Sequence, residues 1–297
     1  MKKVVLTFLI VLFLSTVLAA EKTGPKVYIS VDMEGIWGVV HGSQTSSDSA
    51  EYGPARKWMA EDVNAVVAGL FAAGAAEVVV NDSHGSMRNI IADALDPRAS
   101  LISGTPKALS MMQGIDGSFD ACIFVGYHAR AGTAPSILDH TISGGVVRAI
   151  RVNGQEMPEL GLNAAIAGYF KVPVVMLTGD TVTCTQAKSI LGDGLVTVAV
   201  KEAQGRYAAI NLPRDEAKRR LSDGAKEALQ KKGQVAVFRL NPPFKFELEV
   251  NTSAQAELPT LIYLVKRTGP RTLEFSADDY LVGFKLLRAL INLAGVS

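Results

Sequence analysis

The sequence predicts an α/β fold, a mainly parallel sheet flanked by helices, with a smaller α+β C-terminal domain. Three observations carry this. Short runs such as VYISV (27–31), EVVV (77–80), ACIFV (121–125) and PVVML (173–177) are apolar without alternation, as strands covered on both faces are. Stretches with helical apolar spacing lie between them. After residue 200 the texture turns charged and amphipathic, with Pro-interrupted strand runs.

Taken in order, residues 4–20 are an uncharged apolar run behind Lys2 and Lys3, ending in Leu18-Ala19-Ala20. A basic start, apolar core and small-residue end are the order of a secretory signal peptide. The run is just long enough to be read as a membrane anchor instead, but the charged EKTGPK that follows favours cleavage. The expectation is a signal peptide over residues 1–20, an exported protein (periplasmic or extracellular), and no membrane contact after cleavage.

The expected catalytic domain, residues 21–200, starts with the strand at 27–31, then a helix over 52–73 stopped by Gly74. The strand at 77–80 precedes a helical stretch over 87–95, and Leu101 and Ile102 begin a third strand. The strand at 121–125 is followed by half a hairpin at 146–152 with an Asn153-Gly154 turn. A helix at 159–170, a buried strand at 173–177 and a helix at 181–191 complete it. In the expected second domain, residues 201–297, a helix over 213–232 has Pro213 in its first turn and Gly233 at its end. Strands at 235–240, 244–250 and 272–275 and a final helix from about Ala277 follow. Cys122 and Cys184, one in a strand and one in a helix, are expected as buried free thiols although export permits a disulfide.

The chain of 297 residues carries 30 basic and 29 acidic side chains. With no Lys/Arg run or aromatic-basic interleaving, nothing suggests nucleic acid. Gly144-Gly145 lacks the Lys-Ser/Thr of a phosphate loop, and no Gly-x-Ser-x-Gly nucleophile turn occurs.

Chemistry gathers at strand ends. VYISV runs into Asp32-Met33-Glu34, EVVV into Asn81-Asp82-Ser83-His84, and ACIFV into Gly126-Tyr127-His128. In a parallel sheet ligands bind beyond the carboxyl ends of the strands, so these residues share one edge. Asp32 and Glu34, two apart, point to one side of an extended chain. Two carboxylates and two imidazoles form a donor set suited to zinc. Each also has a plainer reading, a hydrogen-bonded histidine or a carboxylate holding a turn. Pattern alone leaves both open.

Four blocks go further. Ser30-Val31-Asp32-Met33-Glu34-Gly35, Asn81-Asp82-Ser83-His84, Gly126-Tyr127-His128-Ala129 and Glu159-Leu160-Gly161-Leu162-Asn163-Ala164 resemble, in order, the signature blocks of the D-aminopeptidase family, peptidase family M55. The resemblance runs from residue 27 through the C-terminal helix. It implies two zinc ions (Zn2+) per subunit, with Asp32 between them and Glu34, His84, His128 and Glu159 completing the set. On pattern alone Glu159 reads as an acid favoured at a helix N-terminus. The resemblance also implies a catalytic role for His140, in Leu138-Asp139-His140-Thr141, where the match is looser. His41 matches no block. The implied activity is removal of the N-terminal residue from short peptides of D-amino acids, such as D-Ala-D-Ala, by a two-metal activated water. A ring-like homo-oligomer is implied too. Two other readings stay open: a two-metal amidase or phosphoesterase on non-peptide substrates, and a metal- or peptide-binding protein without catalysis.

Overall fold

The computed structural model describes residues 23–296; the expected signal segment lies outside them. In chain order the elements are β1 (Lys26–Val31), α1 (Gly42–Thr45), α2 (Tyr52–Ala72), β2 (Glu77–Asp82), β3 (Ser100–Ile102), β4 (Ala121–Val125), β5 (Val147–Val152) and β6 (Gln155–Glu156). Then come α3 (Glu159–Tyr169), β7 (Val174–Asp180), α4 (Thr181–Leu191), β8 (Val196–Gly205), β9 (Ala208–Asn211), α5 (Arg214–Gln230), β10 (Phe244–Val250), β11 (Lys266–Arg267), β12 (Thr272–Ala277) and α6 (Tyr280–Ala294).

Seven strands form the main sheet in the order β3-β2-β1-β4-β7-β8-β9, parallel except for β9. The unbroken apolar runs have the role expected of them. Side chains alternate across a strand, and in β1 Val27, Ile29 and Val31 enter one core while Tyr28 enters the other. In β4, Ala121, Ile123 and Val125 face the first core, and Cys122 and Phe124 the second. Each fully buried Val, Ile or Phe contributes about 1.5–3 kcal/mol, so a polar substitution on either face of these strands is costly.

On one face α2 and α5 pack together, close enough that a Cβ on Gly69 would sit 2.2 Å from Ser222 O. On the other, α3 is buried along almost its whole length, which explains its lack of a polar face. Beyond it lies an antiparallel sheet, β11-β12-β10-β5-β6, with α6 across it. Asn153 (φ 53°) and Gly154 (φ 80°) make the tight β5–β6 turn their dipeptide predicts. Cys122 and Cys184 are buried and free. Among the described residues no helix is long and apolar enough to cross a membrane.

The division of the chain follows the sheets rather than residue 200. The hairpin β5–β6 belongs to the second sheet, whereas β9 and α5 belong with the first. Two expected elements are absent. Residues 87–95 hold a single 3₁₀ turn, Ala92–Ala94, because the Asp82 carboxylate accepts from the backbone N–H groups of Asn89 and Ile90 in place of a helical ladder. Residues 235–240 pair with no strand; the segment lies against α3, where Phe238 O fills the space a Cβ on Gly168 would need.

Candidate metal centre

The chain runs outward from β1 to β2 and β3, then returns to place β4 on the other side of β1. That reversal opens a crevice at the carboxyl ends of β1 and β4, and Asp32, Glu34, His84 and His128 all emerge there. Glycines let the two loops meet. A Cβ on Gly35 would lie 2.0 Å from Tyr127 O, and one on Gly126 (φ +71°) 2.4 Å from Asp32 O. Gly35 N donates to Gly126 O at 2.8 Å and Asp32 N to Val125 O at 2.8 Å. Gly126→Ala therefore pairs an αL penalty of about 1–2 kcal/mol with a displaced Asp32. A lower denaturant midpoint and a lower zinc content are expected together; a fully metal-loaded variant of wild-type stability would contradict this.

Three imidazoles are held in the same way. His84 Nε2 lies 3.0 Å from Thr45 O, His128 Nδ1 2.9 Å from Ala129 O, and His140 Nδ1 2.9 Å from Leu138 O. A carbonyl oxygen only accepts, so each of these nitrogens carries the proton and each neutral ring turns a lone pair inward. Those inward nitrogens face carboxylates. His84 Nδ1 is 3.2 Å from Asp32 Oδ1 and 3.1 Å from Glu34 Oε2. His128 Nε2 is 3.3 Å from Asp32 Oδ2 and 3.2 Å from Glu159 Oε1, and His140 Nε2 is 3.5 Å from Glu159 Oε1. Asp32 thus offers one oxygen to each histidine group.

Lone pair against carboxylate is repulsive unless a cation lies between. The buried Asp32 Oδ2 and His128 Nε2 have no hydrogen-bond partner among the described residues. Without a metal only a proton can serve: burial disfavours charge on His84 and His128, but Glu34 and Asp32 at the first and Glu159 and Asp32 at the second outweigh it and raise both well above the ordinary imidazole range. Burial likewise opposes ionisation of Glu159, yet His128 and His140 hold its carboxyl down at about 2. Asp32 is raised by burial and by the nearby Glu34. Oxygen and imidazole donors this close, with orphaned atoms turned inward, fit divalent zinc. Ligand atoms of Asp32, Glu34 and His128, and of His128, His140 and Glu159, can each gather within 4.8 Å. The second group puts His140 within reach of a metal, a possibility its reading as a catalytic residue does not include.

The supports are local. The Asp82 carboxylate and Asn89 fix the loop after β2, with Asn89 Nδ2 donating to His84 O at 2.6 Å. His41, without a role in the sequence reading, caps α1 by accepting from Ser43 N at 3.2 Å, which sets the short helix that presents Thr45 O. Behind the centre Tyr127 OH meets Ser30 Oγ at 2.7 Å and Asn163 Nδ2 at 3.0 Å. His140 stacks on His128 with ring centroids 3.9 Å apart. Its loop has Leu138 at φ 51° and Ile142 at φ 62°. For a β-branched residue that backbone is strained, and Ile142 N donates to Glu159 Oε1 from it. Lys201, on β8, was not visible as a site residue: its ammonium donates to Glu34 O at 2.6 Å, Ile36 O at 2.8 Å and Val39 O. A lone lysine in a strand carries no sequence signal for this.

An α/β sheet whose strand ends gather three carboxylates and three oriented imidazoles around orphaned acceptors defines a metallohydrolase. The family model of the D-aminopeptidases matches residues 26–289. A D-aminopeptidase of Bacillus subtilis (strain 168) is 38% identical over 272 residues, covering 91% of this chain and 97% of its own length. The solved structure of the Zn-dependent D-aminopeptidase DppA from Bacillus subtilis, a self-compartmentalizing protease, superposes with a TM-score of 0.89 at 36% identity, over 92% of this chain and 98% of that one. The chain belongs to the D-aminopeptidase family and is by class a metallo-aminopeptidase.

Proposed function

We propose that this chain is an exported aminopeptidase that removes the N-terminal residue from short peptides of D-amino acids, such as D-Ala-D-Ala, with two zinc ions per subunit. The observation that carries the reading is the pinning of His84, His128 and His140, each with one nitrogen on a backbone carbonyl and the other on a carboxylate. Asp32 would hold both ions, one oxygen to each, with Glu34 and His84 on one side and His128 and Glu159 on the other. When bound, such a pair would supply Lewis acidity toward the scissile carbonyl and lower the pKa of a water toward neutrality.

The chain's own residues do the rest. His140 lines the cavity, and with its Nδ1 on Leu138 O, Nε2 is the nitrogen that would take a proton from the attacking water and pass it to the leaving amine. Stacking on His128 and the Leu138–Ile142 loop hold the ring in place. The aminopeptidase reading places the free amine of the substrate at this centre, which would select unblocked N-termini. His140→Ala is expected to keep both zinc ions and lose at least about tenfold in kcat, the low end for acid–base groups. Loss of one zinc instead would make His140 a ligand, and unchanged turnover would remove it from the mechanism.

Export is supported by Lys2, Lys3 and the apolar run that follows; cell fractionation with N-terminal sequencing of the mature protein tests it. A homo-oligomer is supported by the self-compartmentalizing relative and by Leu261, Tyr263 and Leu264, exposed at 80%, 97% and 61% in one loop; light scattering tests it. The activity itself is tested with zinc-loaded protein on matched D- and L-dipeptides. Release of D-Ala from D-Ala-D-Ala well above release from L-Ala-L-Ala is expected, and the reverse preference, or activity only on phosphoesters or non-peptide amides, would overturn the reading.

A further inference from the structure

A cavity of about 150 Å³ adjoins the metal centre, and part of its wall is made by α6. Its lining includes Asp32, His84, His140 and Glu159 and, from α6, Phe284 and, one turn later on the same helix face, Arg288. Arg288 is half-buried. Among the described residues its guanidinium makes no hydrogen bond and no ion pair, unlike Arg214 or Arg151, which each engage carboxylates. Burial pulls it below the ordinary guanidinium range, with only Glu159 opposing that.

A guanidinium taken partly out of water without a partner is destabilising. Glu159 does not relieve this, since its carboxylate is occupied by Ile142 N and the two histidines. Such a cation in an otherwise acidic, imidazole-lined cavity is complementary to an anion on the ligand. A guanidinium forks onto the two oxygens of a carboxylate in a way that an ammonium cannot.

We propose that Arg288 binds the C-terminal carboxylate of a short peptide whose amino end lies at the metal centre, and so makes the enzyme selective for small peptides with a free C-terminus. The proposal rests on the aminopeptidase reading above and adds the substrate's second anchor. Two residues of extended chain span at most about 7 Å, so with one end on the cluster and the other on α6 the cavity measures peptide length as well as charge. Longer chains would have to carry their extra residues past Arg288, leaving its charge unmatched.

The test uses the zinc-loaded protein and two non-hydrolysable D-Ala-D-Ala isosteres with a reduced central amide, one ending in a carboxylate and one in a carboxamide. Calorimetry is expected to show the wild type favouring the acid at least about tenfold, on the scale of a charge-assisted hydrogen bond. Arg288→Gln is expected to abolish that preference by weakening acid binding about 10- to 100-fold, and Arg288→Lys to restore part of it. In kinetics on D-Ala-D-Ala, Arg288→Gln should act on KM more than on kcat, with zinc content unchanged. Equal weakening toward acid and amide, or an intact preference in Arg288→Gln, would overturn the proposal. Failure of the wild type to release D-Ala from any peptide would strike the aminopeptidase reading instead, while the acid–amide comparison would still decide what Arg288 binds.

Discussion

Asp32→Asn is expected to cost the protein its paired metals and about three orders of magnitude or more in kcat/KM, equivalent to about 4 kcal/mol at 1.36 kcal/mol per tenfold. Asparagine keeps the volume and the acceptor for Met33 N, which donates to Asp32 Oδ1 at 2.9 Å, so the strand end should hold its shape. What is lost is the second anionic oxygen. Oδ1 faces His84 and Oδ2 faces His128, and an amide presents only one acceptor. A carboxylate shared between cations also neutralises part of their mutual repulsion, which a neutral side chain does not. Zinc analysis and turnover should fall together while far-UV circular dichroism stays unchanged. Two zinc ions per subunit in the variant, with full activity, would show that Asp32 is not the shared ligand.

Lys201→Met is expected to destabilise the fold by about 3–5 kcal/mol, the range for removing one partner of a buried charged interaction. The three hydrogens of the ammonium meet three backbone acceptors in the loop after β1: Glu34 O, Ile36 O and Val39 O. Burial draws this ammonium down to about 7, with Asp180, Asp62 and Glu34 opposing it. Methionine fills the space of the stem and satisfies none of the carbonyls, each of which then costs about 1–3 kcal/mol. At roughly 2–4 °C per kcal/mol for a protein near this size, Tm should fall by about 10 °C. Because Glu34 loses its backbone anchor, zinc affinity should also drop, by about 10- to 100-fold as for other supporting contacts of metal ligands. A Tm within 2 °C or so of wild type would mean that water replaces the ammonium.

The strands that make the site were legible because burial on both faces writes itself as an unbroken apolar run, and 27–31, 77–80, 121–125 and 173–177 all form parallel strands of one sheet. Their carboxyl ends then fix where Asp32, Glu34, His84 and His128 emerge, and the structure brings these four together with Glu159 and His140. Glu159 was legible only through family resemblance: the buried helix that carries it looks the same whether its first carboxylate meets solvent or a metal. The segment 87–95 misled because its apolar spacing is helical while Asp82, in the preceding strand, captures its N–H groups. Lys201 and Arg288 were not legible at all. Each sits at an unremarkable position in its own element and takes its meaning from residues more than a hundred positions away. The boundary near residue 200 reflected a real change in composition, but α5 is amphipathic because it covers the first sheet beside α2, not because a separate domain begins.

The most direct measurement of the central claim is an anomalous difference map at the zinc edge from crystals of the zinc-loaded protein. Two peaks about 3.5–4 Å apart are expected, one on each side of the Asp32 carboxylate, the first against Glu34 and His84 and the second against His128 and Glu159. A single peak, or peaks away from Asp32, would contradict the account.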